Sequence, residues 1–234
     1  MIVFVPQLAA VVFDFDGVVL DSETPEYESH RRIYERCGVD LTIEEWCGAI
    51  GLWAEDHNER RFEALCARSV RAPQRAAYHE ERRRIFAELV PGEPMPGIRE
   101  LLTALREADI RTAIASTAPA RWVVPQADRI GVGPLFHAIV TGEEVARRKP
   151  APDVYLEAAR RLAVPPSLSI AIEDSGPGID AARAAGMIAV AIPHWLTATH
   201  DLTGANAIVA HAGELTLERL QQLLARRVGG RRDE

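Results

Sequence analysis

The distribution of hydrophobic and polar residues divides the chain into two kinds of region. Short apolar runs that end at glycine or acidic residues are typical of buried parallel strands, whereas hydrophobic residues recurring on one face predict helices. After a first apolar run that leads into Asp14, the pattern predicts helices only, as far as about Val90. From Ile98 onward, predicted strands and helices alternate. This alternation indicates an α/β fold, a doubly wound parallel sheet with helices on both faces.

The elements expected from this pattern are separated by short connections. Strands are predicted over residues 10–16, 110–115, 137–140, 168–172 and 188–192, and helices over 97–107, 119–130, 152–162, 176–185 and 215–227. The helical region is expected to contain helices over 26–37, 42–50, 55–70 and 73–89. Thr42 and Glu45 match a capping box at the start of the second of these helices.

Proline and glycine mark the second boundary of the helical region. Residues 90–97 contain three prolines and two glycines, a composition typical of a linker. We therefore predict an α/β catalytic core domain made of residues 1–21 and 97–234. A helical cap domain of residues 22–90 is inserted into it, and residues 91–96 are the linker.

Composition and charge exclude several classes of function. The chain has 234 residues, is 47% hydrophobic and carries a net charge of −7, which argues against a nucleic-acid-binding protein. No stretch approaches the roughly 18 apolar residues of a membrane-spanning helix, and the N-terminus lacks the basic region of a signal peptide. Three cysteines without metal-binding spacing indicate reduced thiols. We expect a cytoplasmic monomer or weak homodimer that binds neither nucleic acid nor a membrane.

Two acidic residues at the end of the first strand carry the strongest chemical signal. Asp14 and Asp16 lie on the same face, because side chains alternate along a strand. At about 4 Å and an effective dielectric constant near 20, two carboxylates repel each other by roughly 4 kcal/mol. A pair of this kind needs a partner, and we interpret it as catalytic carboxylates gathered around a divalent cation.

Other predicted strand ends bring further polar residues to the same edge, where ligands bind in doubly wound sheets. Ser116 follows the second strand, and Glu173 and Asp174 follow the fourth. Lys149 precedes a helix and is the only lysine among 27 basic residues. Since lysine is a compact charge and arginine a wide planar fork, we expect Lys149 to be retained for chemistry.

Four stretches, DFDGVVLDSE, AST, KPAPDVY and EDSGPGIDAARAAG, resemble the signature motifs of the haloacid dehalogenase superfamily. The likeness is strongest to its subgroup with a helical cap, which includes β-phosphoglucomutase-like and phosphoglycolate phosphatase-like enzymes. It extends over nearly the whole chain from about Leu8. The resemblance implies a Rossmann-like core and phosphoryl transfer through a covalent aspartyl-phosphate.

The resemblance also implies roles for the acidic residues. Asp14 would attack phosphorus, and Asp16 would protonate the leaving alcohol and then deprotonate the attacking water. Mg²⁺ would be bound by the Asp14 carboxylate, the backbone carbonyl of Asp16 and Asp174, with Glu173 as a ligand or as a hydrogen-bond acceptor behind them.

The remaining residues that the resemblance implies would bind the substrate. Ser116 and Lys149 would hold the phosphoryl oxygens together with the backbone N–H groups of Gly17 and Val18, and Thr117 lies next to them in the second motif. Substrate choice is expected to depend on the cap, which closes over the site. The candidates in the cap are Glu23, Tyr27 and His30, with Trp53 and Arg60 as further possibilities, and Trp195 either flanks the site or packs elsewhere.

Four functions are weighed from these features. A dehalogenase needs neither Asp16 nor a metal, and a phosphate-receiving signalling domain has no use for Asp16 and is about half as long. A phosphosugar mutase needs polar groups for a second phosphate, but residues 117–120 lack a lysine or amide and residues 49–54 lack a basic residue. We therefore predict a Mg²⁺-dependent phosphatase of a small phosphorylated metabolite, with the mutase as the alternative.

Overall fold

The computed structural model describes residues 7–47 and 57–229. Within them, six strands form one parallel sheet in the order β3-β2-β1-β4-β5-β6. The strands are β1 (Ala10–Phe13), β2 (Arg111–Ala115), β3 (Ala138–Val140), β4 (Ser169–Glu173), β5 (Ile188–Ala191) and β6 (Ala207–Ile208). The strand order reverses at β1, which is the position where a parallel sheet opens a crevice at its carboxyl edge.

The register of the central strands decides which residues meet at that edge. Phe13 of β1 is paired with Ile114 of β2 on one side and with Ile172 of β4 on the other. The residues that follow, including Asp14 and Glu173, are therefore brought to the same level of the sheet.

Helices cover both faces of the sheet. They are α5 (Ile98–Glu107), α6 (Ala120–Arg129), α7 (Asp153–Leu162), α8 (Gly176–Ala184) and α9 (Leu217–Gly229). Alternate residues of β1 pack on opposite faces: Val11 and Phe13 contact the cluster formed with α5, α6 and α9, and Val12 contacts the cluster formed with α7 and α8. The predicted doubly wound sheet is confirmed. Among the described residues, no helix has the length and hydrophobicity needed to cross a membrane.

Between β1 and α5, the described residues form four helices with a hydrophobic core of their own. They are α1 (Glu23–Arg36), α2 (Ile43–Cys47), α3 (His57–Arg68) and α4 (Arg75–Leu89). Tyr34, Trp46 and Leu65 are buried in this core. Thr42 and Glu45 exchange the two bonds of the predicted capping box, with the Glu45 N–H donating to Thr42 Oγ1 at 3.2 Å.

Some predicted elements differ from the structure. Helix α1 begins at Glu23 and not at Glu26, because the Asp21 carboxylate accepts the Thr24 N–H at 2.9 Å and caps the helix earlier. The two-residue strand β6 was not predicted, since it is too short to show an alternating pattern. Residues 48–56 lie outside the described residues, and with them Trp53, the predicted end of the second helix and the start of the third.

A loop that follows β5 packs against the cap. Leu196 in this loop is fully buried among the residues of the cap core. Its neighbour Trp195 donates from its indole nitrogen to Thr24 Oγ1 at 2.8 Å and packs edge-on against Tyr27. The Trp195 ring therefore packs on helix α1, and its place beside the site stays a prediction. These contacts hold the cap against the core.

Replacing Leu196 with alanine is expected to lower the free energy of unfolding by about 2–4 kcal/mol, because it leaves a cavity where the two domains meet. Denaturant unfolding followed by circular dichroism measures the change. Leu156→Ala is the matched control: that leucine is 42% exposed on α7, and its loss should change stability by less than about 0.5 kcal/mol. Equal effects of the two substitutions would contradict the role assigned to Leu196.

Candidate active site

A lysine and two carboxylates form the centre of the site. Lys149, in the loop between β3 and α7, donates from Nζ to Asp14 Oδ1 at 2.5 Å and to Glu173 Oε1 at 2.6 Å. Its side chain is only 4% exposed. A buried cation is stable only when it is paired and hydrogen-bonded, and here two anions share that task. The structure thus brings together three residues that lie far apart in the sequence.

Glu173 is held by further hydrogen bonds on both oxygens. The Tyr155 hydroxyl donates to Oε1 at 2.5 Å, and the Ser175 hydroxyl and the Asp174 N–H donate to Oε2 at 3.2 Å each. Burial raises the pKa of Tyr155, so the phenol remains a donor. Glu173 is therefore fixed as the residue that orients Lys149. Sequence reasoning missed Tyr155 and Ser175 as functional residues, although both lie inside the quoted motifs.

Three carboxylates can hold a cation. One oxygen each of Asp14, Glu173 and Asp174 lies within 4.8 Å of the other two. Asp174 Oδ2 is buried and has no hydrogen-bond partner among the described residues. Gly17 leaves space beside this oxygen, because a Cβ there would lie 2.5 Å from Asp174 Oδ2, and its φ of +83° also favours glycine. An all-oxygen donor set with an unsatisfied carboxylate fits a hard divalent cation such as Mg²⁺.

Asp16 has an environment different from that of Asp14. Its Oδ1 accepts from the Ser22 hydroxyl at 2.6 Å and from the Trp122 indole at 2.9 Å. Burial raises the pKa of Asp16, and these two hydrogen bonds oppose the rise. Burial also raises the pKa of Asp14, against the effect of Lys149. The predicted position of the Asp16 backbone carbonyl next to a metal stays a prediction.

Apart from Lys149, the residues predicted to hold phosphoryl oxygens lie after the ends of β1 and β2. Ser116 is buried, and its Oγ accepts the Ala118 N–H at 3.0 Å, which leaves the hydroxyl hydrogen to donate. Thr117, beside it, is half-buried. The Gly17 N–H donates to the Leu20 carbonyl at 2.8 Å, so a contact of Gly17 with phosphate requires this bond to break.

The structure separates the three residues predicted in the cap. Glu23 lies near the catalytic acids: burial raises its pKa to about 8, and the charges of Asp16 and Glu26 add to the increase. The Tyr27 hydroxyl donates to the Leu41 carbonyl at 3.0 Å inside the cap core. His30 is fully buried; its Nδ1 lies 2.5 Å from the Tyr78 hydroxyl and its Nε2 lies 2.9 Å from Asn58 Oδ1.

Val18, the other residue of the first motif, has a side chain that packs into the core on one face of the sheet. Its backbone N–H as a phosphate ligand stays a prediction. Contacts of Tyr27 and His30 with substrate also stay a prediction. The polar side-chain atoms of both residues are already hydrogen-bonded within the cap.

Alanine at Gly178 is expected to destabilise the site. Gly178 lies in the first turn of α8 directly against the Glu173 carboxylate, and an added Cβ would overlap all three carboxylate atoms. We expect Gly178→Ala to cost about 1–3 kcal/mol in unfolding free energy and to lower kcat, because Glu173 positions Lys149. Chemical denaturation and steady-state kinetics measure both effects. Gly92→Ala, with its nearest neighbour 3.9 Å from the added Cβ, should change neither.

Comparison with known proteins identifies relatives of this chain. The sequence model of the haloacid dehalogenase-like hydrolases matches residues 8–186. The chain is 35% identical over 193 residues to a putative phosphatase, YhcW, of Bacillus subtilis, covering 82% of this chain and 86% of that protein. It is 31% identical over 217 residues to a phosphorylated carbohydrates phosphatase of Thermotoga maritima, covering 93% and 97%.

One solved structure of similar fold is also from Thermotoga maritima. The putative β-phosphoglucomutase of Thermotoga maritima superposes with a TM-score of 0.71 at 30% identity, over 93% of this chain and 99% of that one. Both the predicted fold and the resemblance carried by the four motifs are confirmed. The chain belongs to the haloacid dehalogenase-like hydrolases.

Proposed function

We propose that the protein is a Mg²⁺-dependent phosphatase that hydrolyses a small phosphorylated metabolite through an aspartyl-phosphate. The observation that carries this proposal is the arrangement of Lys149 between Asp14 and Glu173, with Asp16 separately hydrogen-bonded close by. The family supplies the hydrolase class, and the names of the relatives from Bacillus subtilis and Thermotoga maritima support a phosphatase.

Asp14 is the nucleophile in this proposal. Its free carboxylate oxygen attacks phosphorus, the bond to the leaving oxygen breaks, and the phosphoryl group becomes attached to Asp14. Lys149 holds Oδ1 of Asp14 in place and neutralises charge that accumulates on the phosphoryl oxygens. The Ser116 hydroxyl, at the end of β2, donates to one of those oxygens.

Asp16 acts as the general acid and then as the general base. Ser22 and Trp122 fix its Oδ1, so Oδ2 is the oxygen that carries the proton. It donates this proton to the leaving alcohol, and it removes a proton from the water that hydrolyses the aspartyl-phosphate. Burial, which raises the pKa of Asp16, favours the protonated form needed in the first step.

Asp14 and Asp174 would bind Mg²⁺ directly, together with the backbone carbonyl of Asp16. When bound, the cation neutralises the carboxylates and lets a phosphate dianion approach them. Glu173, whose oxygens are already hydrogen-bonded to Lys149, Tyr155 and Ser175, serves mainly to hold the lysine.

The cap of residues 22–90 is proposed to close over the substrate and exclude water. Residues 91–96 are the linker that joins the end of the cap to the second part of the core domain. Glu23 is the cap residue that contributes most directly, because it lies near Asp16. We propose that the enzyme acts in the cytoplasm as a monomer or weak homodimer.

A phosphosugar mutase is the second candidate, and the similarity to a putative β-phosphoglucomutase favours it. Against it stands the start of α6, where Arg121, the nearest basic side chain after the second motif, is already paired with Glu143 at 3.2 Å. Since a mutase must hold a second phosphate, this pairing favours the phosphatase.

A screen of phosphorylated metabolites with Mg²⁺, measuring released phosphate, tests the proposal. We expect turnover that EDTA abolishes and that added Mg²⁺ restores. β-Glucose 1-phosphate with its bisphosphate belongs in the screen, because conversion to glucose 6-phosphate without phosphate release would support the mutase. Full activity in EDTA would refute the metal requirement.

A further inference from the structure

Two polar contacts join helices α1 and α4 of the cap. Arg82 donates from Nη1 to Glu26 Oε2 at 2.8 Å, and one turn away the His30 ring meets the Tyr78 hydroxyl. The side chains of Arg82 and Glu26 are 15% and 23% exposed. This ion pair is therefore largely shielded from bulk water, although part of each side chain reaches the surface.

Helix α4 places Arg82 close to the catalytic acids. Phe86 follows Arg82 by one helical turn and so lies on the same face. The Phe86 ring packs edge-on against Trp122, with ring centroids 5.4 Å apart, and the Trp122 indole donates to Asp16. Arg82 thus lies one helical turn from the Phe86–Trp122 contact, which leads to the proposed general acid Asp16.

Helix α1 places Glu26 on the same side. Glu23 precedes Glu26 by three residues, a spacing that puts both on one helical face. Ser22 precedes Glu26 by one turn of the helix: its carbonyl accepts the Glu26 N–H at 3.1 Å, and its hydroxyl donates to Asp16 Oδ1 at 2.6 Å. The Glu26–Arg82 pair therefore lies one helical turn beyond the contacts that connect both cap helices to Asp16, the proposed general acid for the leaving alcohol.

This ion pair retains unused hydrogen-bonding capacity. The Arg82 Nε–H is buried and has no acceptor in the part of the chain that the structure describes. An unsatisfied buried donor is costly, and a ligand oxygen that accepts from it recovers that cost. Next to this donor, the Glu26 carboxylate offers lone pairs as an acceptor.

The two histidines next to the ion pair are neutral and add no charge to it. His30 and His57 offer ring nitrogens within 4.8 Å of a Glu26 oxygen. Burial lowers the pKa of both histidines, that of His57 to about 4, so both are neutral at pH 7. With Glu26 balancing Arg82, the four side chains have no net charge.

We propose that Glu26 and Arg82 together bind a hydroxyl group of the leaving part of the substrate, and thereby select phosphate esters of uncharged, hydroxyl-rich molecules. A hydroxyl can accept from Arg82 and donate to Glu26 at the same time, whereas a second phosphate or a carboxylate can only accept. Such an anion would also lie against the Glu26 carboxylate. This inference rests on the proposed phosphatase function and specifies its substrate class.

Steady-state kinetics on matched esters test the proposal. We would measure kcat/KM for a hexitol 6-phosphate, a hexose bisphosphate, phosphoglycolate and p-nitrophenyl phosphate. The wild-type enzyme is expected to prefer the hexitol phosphate over the bisphosphate and phosphoglycolate by at least about tenfold, the effect of one unfavourable charge contact.

Two variants assign this preference to the pair. Glu26→Gln keeps an acceptor for Arg82 but removes the negative charge, and should reduce the preference over the bisphosphate by about tenfold. Arg82→Met should raise KM for the hexitol phosphate by about tenfold, with a smaller change in kcat. Arg84→Met, which removes an exposed arginine two residues away, should leave all four substrates unaffected. Melting temperatures identify variants that fail to fold. If Arg82→Met fails to fold, the kinetics of Glu26→Gln test the proposal.

The outcomes separate this inference from the function on which it rests. Hydrolysis of p-nitrophenyl phosphate with no preference among the other esters would overturn the inference alone. So would a preference that both variants leave intact, or an equal loss of kcat/KM for every substrate. A wild-type enzyme that hydrolyses none of the four esters, with Mg²⁺ present, would contradict the proposed phosphatase as well.

Discussion

Asp14→Asn is expected to lower kcat by at least about 10⁴-fold, the largest effect of any single substitution in the site. Asparagine has nearly the same shape as aspartate and can still accept from Lys149, but its amide does not attack phosphorus. The loss should therefore appear in kcat, with the protein folded and KM little changed. Phosphate release under saturating substrate, at high enzyme concentration, measures the residual rate.

Asp109→Asn is a suitable control for Asp14→Asn. Asp109 is an exposed aspartate between α5 and β2, at the amino edge of the sheet and so opposite the site, and asparagine also adopts its φ of 56°. Its substitution removes a carboxylate without touching the site, and activity should remain within about twofold, as is usual for surface changes. Turnover by Asp14→Asn at a tenth of the wild-type rate or more would exclude Asp14 as the nucleophile.

Lys149→Met is expected to have the second largest effect, a fall in kcat of about 10²–10³-fold. Methionine matches the lysine in length but carries no charge, so Asp14 loses its orienting donor and the phosphoryl oxygens lose a cation. The free energy of unfolding should also fall, by about 3–5 kcal/mol, because the buried Glu173 loses its counter-charge. Kinetics and denaturant unfolding on the same preparation separate the two effects.

Two further substitutions test whether position and residue type both matter at Lys149. Arg147→Met removes a positive charge two residues away, from a side chain that is 70% exposed, and should cost under about 1 kcal/mol with normal kcat. Lys149→Arg should be as inactive as Lys149→Met. The Lys149 side chain is 4% exposed and its ammonium lies between two carboxylates, where a planar guanidinium does not fit. Normal kcat in Lys149→Met would show that the lysine is not needed for catalysis.

The sequence predicted the central part of this site well, for a physical reason. Asp14 and Glu173 stand at the ends of strands that the hydrophobic pattern indicates, and parallel strands bring their carboxyl ends to one edge. The single lysine in an arginine-rich chain identified the residue that the structure places between two carboxylates. Local pattern was therefore enough where the sheet itself determines position.

Contacts between distant helices could not be predicted in the same way. Trp122 belongs to the apolar pattern of α6, and nothing local indicates that its indole bonds to Asp16. Leu196 gives no sign in sequence that it enters the core of another domain. Tyr27 and His30 share a helix with Glu23, but their orientation depends on how α1 packs against α2 and α4, which the pattern of one helix does not encode.

Chemical trapping of the intermediate tests the central claim most directly. The enzyme would be mixed with substrate and Mg²⁺, quenched within milliseconds, treated with borohydride and digested for mass spectrometry. Borohydride reduces an acyl phosphate to an alcohol, so an aspartyl-phosphate at position 14 is converted to homoserine. We expect homoserine at position 14 in quenched wild-type enzyme and none in Asp14→Asn. Substrate turnover with position 14 unmodified, or homoserine at another aspartate, would contradict the assignment of Asp14 as the nucleophile.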